Sequence, residues 1–190
     1  DKIYSCQSFF MSNLVYFTYY KTLYGELVLG SFENELCLCD WRYRKQRHLI
    51  DSRILQGLQA QFIEFETQVI QVTIQQLNEY FAGNRQVFEI PLLFVGTNFQ
   101  KSVWQSLMEI PYGQTRTYLY LSKELGNEKA IRAVANANGA NAISIIVPCH
   151  RIIGSNGSLV GYAGGLNAKK KLLELERSKT SKEIQLSLDI

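Results

Sequence analysis

The 190-residue chain has no apolar run near the roughly 20 residues that a membrane span needs, so an integral membrane protein built on helices is not expected. It opens on Asp1-Lys2 with no basic stretch leading into an apolar block, and no secretory signal is expected. Met11-Ser12-Asn13 reads as the natural start, with residues 1–10 a leader ahead of it. Internal repeats and low-complexity tracts are absent, which excludes solenoids and compositionally driven disorder. Cysteines are few, at 6, 37, 39 and 149, and lack the spacing of a disulfide framework. Reduced thiols in a cytoplasmic protein are the expectation. What is present is apolar and aromatic: hydrophobic residues make up 46% of the chain and aromatic ones 12%, enough for one good core or two small ones.

The net charge of +3 is unevenly spread. Through Thr97, eight Lys/Arg face ten Asp/Glu; from Asn98 onward, twelve face seven. The second half is therefore the better candidate for a phosphate-rich partner, although solvated lysines in "AKKKLLELERSK" account for part of the excess.

The pattern predicts an α+β protein. A small N-terminal β-sheet and helix domain (1–97) precedes a mainly helical C-terminal domain (98–190) with a winged-helix-like helix-turn-helix. "YYKTLYGELVLGSFENELCLCDWRY" holds two β-prone runs around "SFEN", a hairpin signature. "TQVIQVTIQQLNEYFAG" has helical spacing through Val69, Val72, Gln76 and Tyr80 and stops at Gly83. "NRQVFEIPLLFVGTN" reads as an extended linker. Beyond it, "NFQKSVWQSLMEIPYG" is a helix closed by Pro111 and Gly113. Thr117 caps "YLYLSKEL", Gly126 ends it, and Asn127 caps "EKAIRAVANANG". Two helices joined so tightly form a helix-turn-helix. The run "AISIIV" reads as a buried strand, and a last helix starts at Asn167, with a loosely held tail from about Ser178.

Three features point towards chemistry. The second helix of the pair has an apolar stripe of Ala130, Ile131, Val134 and Ala137, expected to face the core. Its opposite stripe, Arg132, Ala135, Asn136 and Gly139, sets one cation among very small residues. Such a face suits close approach to a narrow minor groove, or equally packing against another helix. On the last helix Glu176 shares the core-facing stripe with Leu172 and Leu173. A buried charge needs a partner, which is either His150 or, at the rim, Lys169 or Lys179. Cys149 precedes His150 and Arg151. Extended neighbours point to opposite sides, so linking thiol and imidazole takes a turn at Pro148 or a bridging water. Cys149 is either inert packing or an activated nucleophile.

At "PCHR" the sequence resembles the O6-alkylguanine-DNA alkyltransferases, or methylated-DNA–protein-cysteine methyltransferases. "FQKSVWQSLMEIPYGQTRTYLYLSKELG", "KAIRAVANANGANAISIIVPCHRIIGSNGSLVGYAGGL" and "KKKLLELE" follow the family pattern in order and spacing over about 80 residues. "QLNEYFAGNRQVFEIPL" is a weaker lead-in, and the first 65 residues resemble the family only in their hairpin pattern. The resemblance implies that Cys149 accepts the alkyl group, that His150 deprotonates it through water, and that Glu176 orients His150. It implies that Arg132 fills the gap left by the flipped base, Tyr118 hydrogen-bonds the guanine ring nitrogen, and Asn141 braces the helix-turn-helix against the active-site segment. DNA contacts are then expected from Arg132, Ala135, Asn136, Gly139, Thr117 and Arg151. The pocket is expected from Tyr118, Val147, Pro148, Ile152, Tyr162, Ala163 and Gly164. Ala163 stands where many members carry serine; the backbone donor is kept, so only pocket selectivity is in question.

The activity so implied is single-turnover transfer of an alkyl group from O6-alkylguanine, and from O4-alkylthymine, in double-stranded DNA. The protein is expected to bind the minor groove as a monomer and to use no cofactor. Some family members hold a structural zinc in the N-terminal domain. Here Cys37 and Cys39 are expected on one strand face with His48 nearby, but no CxxC or HxxH pair accompanies them, so no metal is expected. The alternatives are a non-catalytic lesion-recognition protein, disfavoured by Cys149, a helix-turn-helix regulator with sequence preference, and a cysteine hydrolase, which would need an oxyanion hole.

Overall fold

A computed structural model describes residues 13–188, with side chains through 178; Cys6 and residues 1–12 lie outside the described residues. β1 (Asn13–Thr22), β2 (Gly25–Phe32) and β3 (Glu35–Trp41) form an antiparallel meander rather than a single hairpin. The second turn is made by Glu33 and Asn34, with Glu33 at φ 52, a conformation that two-residue hairpin turns demand. α1 (Arg47–Leu58) then carries the chain back so that β4 (Ala60–Glu64) pairs parallel to β1, giving the order β3-β2-β1-β4. Neither α1 nor β4 is announced in the sequence. α1 has left-handed residues at both caps, Gln46 and Gln59, and no side-chain cap, so it lacks the usual start and stop signals.

A register shift between Gly30 and Ser31 inserts Cys37 as an extra residue in β3. The parity of the strand changes there. Cys37 packs with Val15, Val28, Ile50 and Ile54 on one side of the sheet, whereas Cys39 joins the main core on the other. The expectation that both thiols share a face is therefore corrected by the bulge.

α2 (Gln68–Phe81) is capped by Thr67 and stops before Gly83 at φ 72. Its buried stripe is Ile70, Thr73, Gln76, Leu77 and Tyr80, with Val69 and Val72 at its margin. The following segment runs along β3: Leu36 N–H donates to Pro91 O at 2.8 Å and Leu93 N–H to Leu36 O at 3.0 Å. The free edge of β3 is thereby covered.

α3 (Asn98–Met108) opens with a full capping box from Thr97 and Gln100. Its buried Trp104 donates an indole hydrogen bond to Ala137 O at 2.9 Å. Trp104 thus ties α3 to α5 (Ile131–Gly139). α4 (Tyr118–Glu124) is capped by Thr117, as expected. Asn127 caps a 3-10 turn, Glu128–Ala130, and α5 begins only after it. That offset rotates the apolar stripe: Val134, Ala137 and Asn138 are buried, while Ile131 is 38% exposed. The run 142–147 is buried but is not a strand. Ile145 sits at φ 75 and the segment makes only isolated bridges, Cys39 with Ile143 and Ser144 with Val147. A two-residue pair, β5 (Arg116–Thr117) with β6 (Ile152–Ile153), flanks the next turn. α6 starts at Gly165, ahead of Asn167, and its backbone is helical to Leu188, beyond Ser178.

The main core cluster draws on both halves of the chain, from Leu27, Leu29 and Tyr80 to Val134, Cys149 and Leu172. Among the described residues no helix is long and apolar enough to cross a membrane.

Candidate active site

Pro148 ends the buried run and Cys149–Arg151 form a 3-10 turn. The turn is held by Cys149 N–H to Val147 O at 2.8 Å and Arg151 N–H to Pro148 O at 2.9 Å. Because the backbone turns here, Cys149 and His150 are not forced to opposite sides as on a strand. Asn141, just past α5, donates from Nδ2 to Val147 O at 3.0 Å and accepts the Ile143 N–H at 2.9 Å. One buried amide thus fastens the end of α5 to the approach to Cys149.

Cys149 is 4% exposed. Burial pushes its thiol up, Asn141 and the Lys169 ammonium work the other way, and the net shift is upward. Cys149 therefore rests as a thiol. Lys169, itself buried, is brought down to about 8 by desolvation. Its ammonium donates to Ile152 O, and to Val160 O at 2.7 Å, joining the turn to the loop that follows.

Behind the turn lies the partner that the last helix required. His150 Nε2 is 2.8 Å from Glu176 Oε1, and both side chains are fully buried. The same carboxylate receives Tyr80 Oη at 2.7 Å, Arg151 Nε at 3.0 Å and the Gly113 N–H at 3.1 Å. Burial alone would raise the Glu176 carboxyl, but the hydrogen bond from His150 and the hydrogen bonds and charge of Arg151 outweigh it and hold it well below the usual carboxylate range. For His150 burial prevails over Glu176 and the imidazole is pushed down, so it rests neutral. A neutral ring bound to a carboxylate carries its proton on Nε2. Nδ1 is then the basic nitrogen, and it is buried without a protein hydrogen-bond partner.

Arg151 was expected on DNA. It is instead buried, spending Nε and Nη2 on Glu176 and Nη1 on Ile110 O at 2.6 Å. Its charge is consumed in compensating the carboxylate, and it has no free face to offer a phosphate. Arg132 and Asn136 are exposed on the outer face of α5, together with Gly139, and Ala135 is half-buried beside them. Thr117 is engaged as the cap of α4, its Oγ1 accepting the Tyr120 N–H at 3.1 Å.

A cleft of about 640 Å³ opens onto Cys149, well inside the range of small-molecule sites. Of the expected pocket residues, Tyr118, Tyr162, Ala163 and Gly164 line it. Val147, Pro148 and Ile152 do not, because the 3-10 turn directs them away: Val147 and Ile152 are fully buried, and Pro148 lines a separate cavity. Burial and the nearby Cys149 push the Tyr118 hydroxyl up, so it remains a proton donor at neutral pH. The opposite wall comes from the N-terminal region, with Tyr24, Trp41, Tyr43, Arg44 and Lys45. Sequence reasoning missed this wall entirely. Trp41 packs edge-on to Tyr162, with ring centroids 5.8 Å apart, and lies so close to Gly164 that a Cβ there would fall 2.4 Å from the indole. Tyr80 and Gly113 were likewise missed; a tyrosine on a core stripe carries no local mark of a partner 96 residues away.

The other described thiols, Cys37 and Cys39, are sequestered. Cys37 Sγ faces Gly30 O at 3.5 Å and Cys39 Sγ faces Ser144 O at 3.4 Å. Burial pushes Cys37 up to about 12 and Cys39 higher still.

A buried cysteine on a turn, a histidine–glutamate pair behind it and a helix-turn-helix beside it define a class, and comparison with known families agrees. Residues 98–178 match the DNA binding domain of 6-O-methylguanine DNA methyltransferase, and residues 15–94 match its ribonuclease-like domain. The chain belongs to the 6-O-methylguanine DNA methyltransferase family. It is 59% identical over 104 residues to the methylated-DNA–protein-cysteine methyltransferase of Methanosarcina acetivorans, covering 55% of this chain and 67% of that protein. It is 40% identical over 164 residues to the constitutive enzyme of that name from Bacillus subtilis, covering 85% and 95%. Among solved structures, the Mycobacterium tuberculosis O6-methylguanine methyltransferase superposes with a TM-score of 0.74 at 38% identity, over 87% of this chain and 94% of that one. The same mycobacterial protein is known in complex with DNA.

Proposed function

We propose that this chain repairs alkylated DNA by direct reversal, moving the alkyl group from O6 of guanine to its own Cys149. The observation that carries the assignment is Cys149 opening onto the cleft with the buried His150–Glu176 pair directly behind its turn. Glu176 fixes the Nε2–H tautomer, which leaves Nδ1 as the base that receives the thiol proton, directly or through a water. The thiolate sulfur attacks the alkyl carbon, the S–C bond forms as the C–O6 bond breaks, and the electron pair remains on guanine. Tyr118, a neutral phenol, donates to the guanine ring and stabilises that developing charge. The product thioether is a poor leaving group, so each molecule acts once.

O6 lies within the base stack, so the nucleotide must leave the duplex first. The outer face of α5 supports this reading: its small residues suit close approach in the minor groove, and exposed Arg132 would fill the vacated position. The protein is proposed to act as a monomer. Resting Cys149 as a buried thiol and His150 as a neutral imidazole avoids isolated charge in the core, and the ion pair forms only when a substrate occupies the cleft.

Incubation with excess duplex containing O6-methylguanine, followed by mass analysis, should show one methyl group per molecule on the Cys149 peptide and then no more. Cys149→Ser should bind the duplex and transfer nothing, because a hydroxyl is a far weaker nucleophile near neutral pH. Continued turnover, or methylation mainly at Cys37 or Cys39, would overturn the assignment.

A further inference from the structure

The cleft has two lips, and only one belongs to the helix-turn-helix. The other is the segment between β3 and α1, where Tyr43, Arg44 and Lys45 border the same cavity as Ala135, Gly139 and Cys149. This lip is fixed relative to α5. Arg44 Nη1 reaches buried Asp40 at 2.7 Å and Asn141 O at 3.0 Å, while Nη2 reaches Gly139 O at 2.6 Å. Arg53 adds Ala140 O at 2.8 Å. Two arginines of the N-terminal region thus satisfy three successive carbonyls at the C-terminal end of α5, where a helix attracts cations. The gap between the lips is set by hydrogen bonds rather than by a flexible connection.

Beyond Arg44 the chemistry of the lip changes. Tyr43 is 77% exposed, and Lys45 is exposed and forms no ion pair among the described residues. Glu26, the acid lining the cleft, is already paired with Arg42 at 2.8 Å. Gln46 then turns the chain at φ 58 to start α1, leaving Lys45 on the outside of a tight reversal.

We infer that this β3–α1 lip is a second DNA-contacting element and that Lys45 binds a backbone phosphate flanking the extruded nucleotide. The inference rests on the repair reading above. A nucleotide that enters the cleft to reach Cys149 leaves its two phosphates at the mouth, because the sugar–phosphate chain must continue past the protein. α5 stands on one side of that mouth and the lip on the other, at a fixed separation. An unpaired ammonium there meets an anion of repeating, sequence-independent position, the usual partner of lysine on DNA.

The test is the salt dependence of binding by the full chain, in a Cys149→Ser background that leaves the lesion unrepaired, to a duplex containing O6-methylguanine. Each phosphate contact contributes close to one unit to the slope of log K against log salt. Lys45→Ala should weaken binding by roughly 3- to 10-fold at low salt and reduce the slope by about one, with an unchanged thermal midpoint. Lys45→Glu should weaken it further, and Lys45→Arg should restore both affinity and slope. An unaltered slope in Lys45→Ala overturns the contact, whether or not affinity falls, because a merely structural role would lower affinity without releasing a counterion. The repair reading fails separately: wild-type protein would then bind the duplex without methylating Cys149, and the slope of Lys45→Ala would still decide the contact.

Discussion

Among the described residues two carboxylates are fully buried, one in each half, and they have opposite fates. Glu176, on α6, is held well below its ordinary range; Asp40, on β3, is raised above it. Both sit beside arginine, so arginine alone does not decide the outcome. Glu176 is surrounded on all sides by donors, from a phenol, an imidazole, a guanidinium and a backbone amide. Asp40 has Arg44 at 2.7 Å, Ser144 at 3.0 Å and a longer contact to Arg47 at 3.4 Å. For Asp40 desolvation remains the largest influence, and the arginines only reduce it. The lesson is that a buried charge is settled by the balance of its shell against desolvation. The donors around Glu176 outweigh its burial, and those around Asp40, which anchors two halves of the chain, do not.

Glu176→Gln should have the largest effect. The amide cannot hold His150 as an Nε2–H donor with the same strength, nor stabilise the imidazolium that forms as Cys149 ionises. Methyl transfer should slow by about 100-fold or more. The pH profile of Cys149 reactivity with a thiol reagent should move to higher pH. An unchanged profile would mean that Glu176 only supports packing.

The contrast in stability is sharper when measured against pH. A carboxyl depressed in the fold contributes stability that is present above its unfolded value, about 4, and lost as pH falls below it. Glu176→Gln should therefore be most damaging near neutrality and less so in acid. A carboxyl raised in the fold works in reverse: wild-type stability relative to Asp40→Asn should decline as pH rises from about 4 through the raised value. Urea unfolding of both variants from pH 3 to 7 checks this, and parallel slopes would erase the distinction.

The smallest effects probe the shells directly. Ser144→Ala removes one of few donors to Asp40 and should cost about 2 kcal/mol, whereas Tyr80→Phe leaves Glu176 well served and should cost about 1 kcal/mol or less. Thermal or urea denaturation of the two variants would reverse the comparison if Tyr80→Phe proved the more costly.

The same pair shows what sequence could reveal. Glu176 was legible because it interrupts an apolar stripe of helical period, and a buried charge on such a stripe demands a partner. Cys149, His150 and Asn141 were legible through a dense motif. Asp40 was not: it lies on a strand next to surface-like arginines, and its partner Ser144 is 104 residues away. The β2–β3 hairpin, α2 and the helix-turn-helix carried clear period, turn and cap signals, but β1 did not show as a third strand, α1 lacked caps and β4 is short. Arg151 was misread because a cation beside a catalytic motif looks available until burial is known. The pocket was half legible, since its far wall arises from contacts between regions that no local pattern records.

One of those contacts bears on how such a protein can change over time. Trp41 fills the space that any side chain at position 164 would occupy. A tryptophan in the first half therefore dictates the absence of a side chain in the second. The two halves match their family descriptions separately, but they are not exchangeable parts. A recombinant joining the first half of one relative to the second half of another would inherit a working pocket only if bulk at 41 and bareness at 164 arrived together. In this chain bulk at 41 and bareness at 164 are fitted to each other.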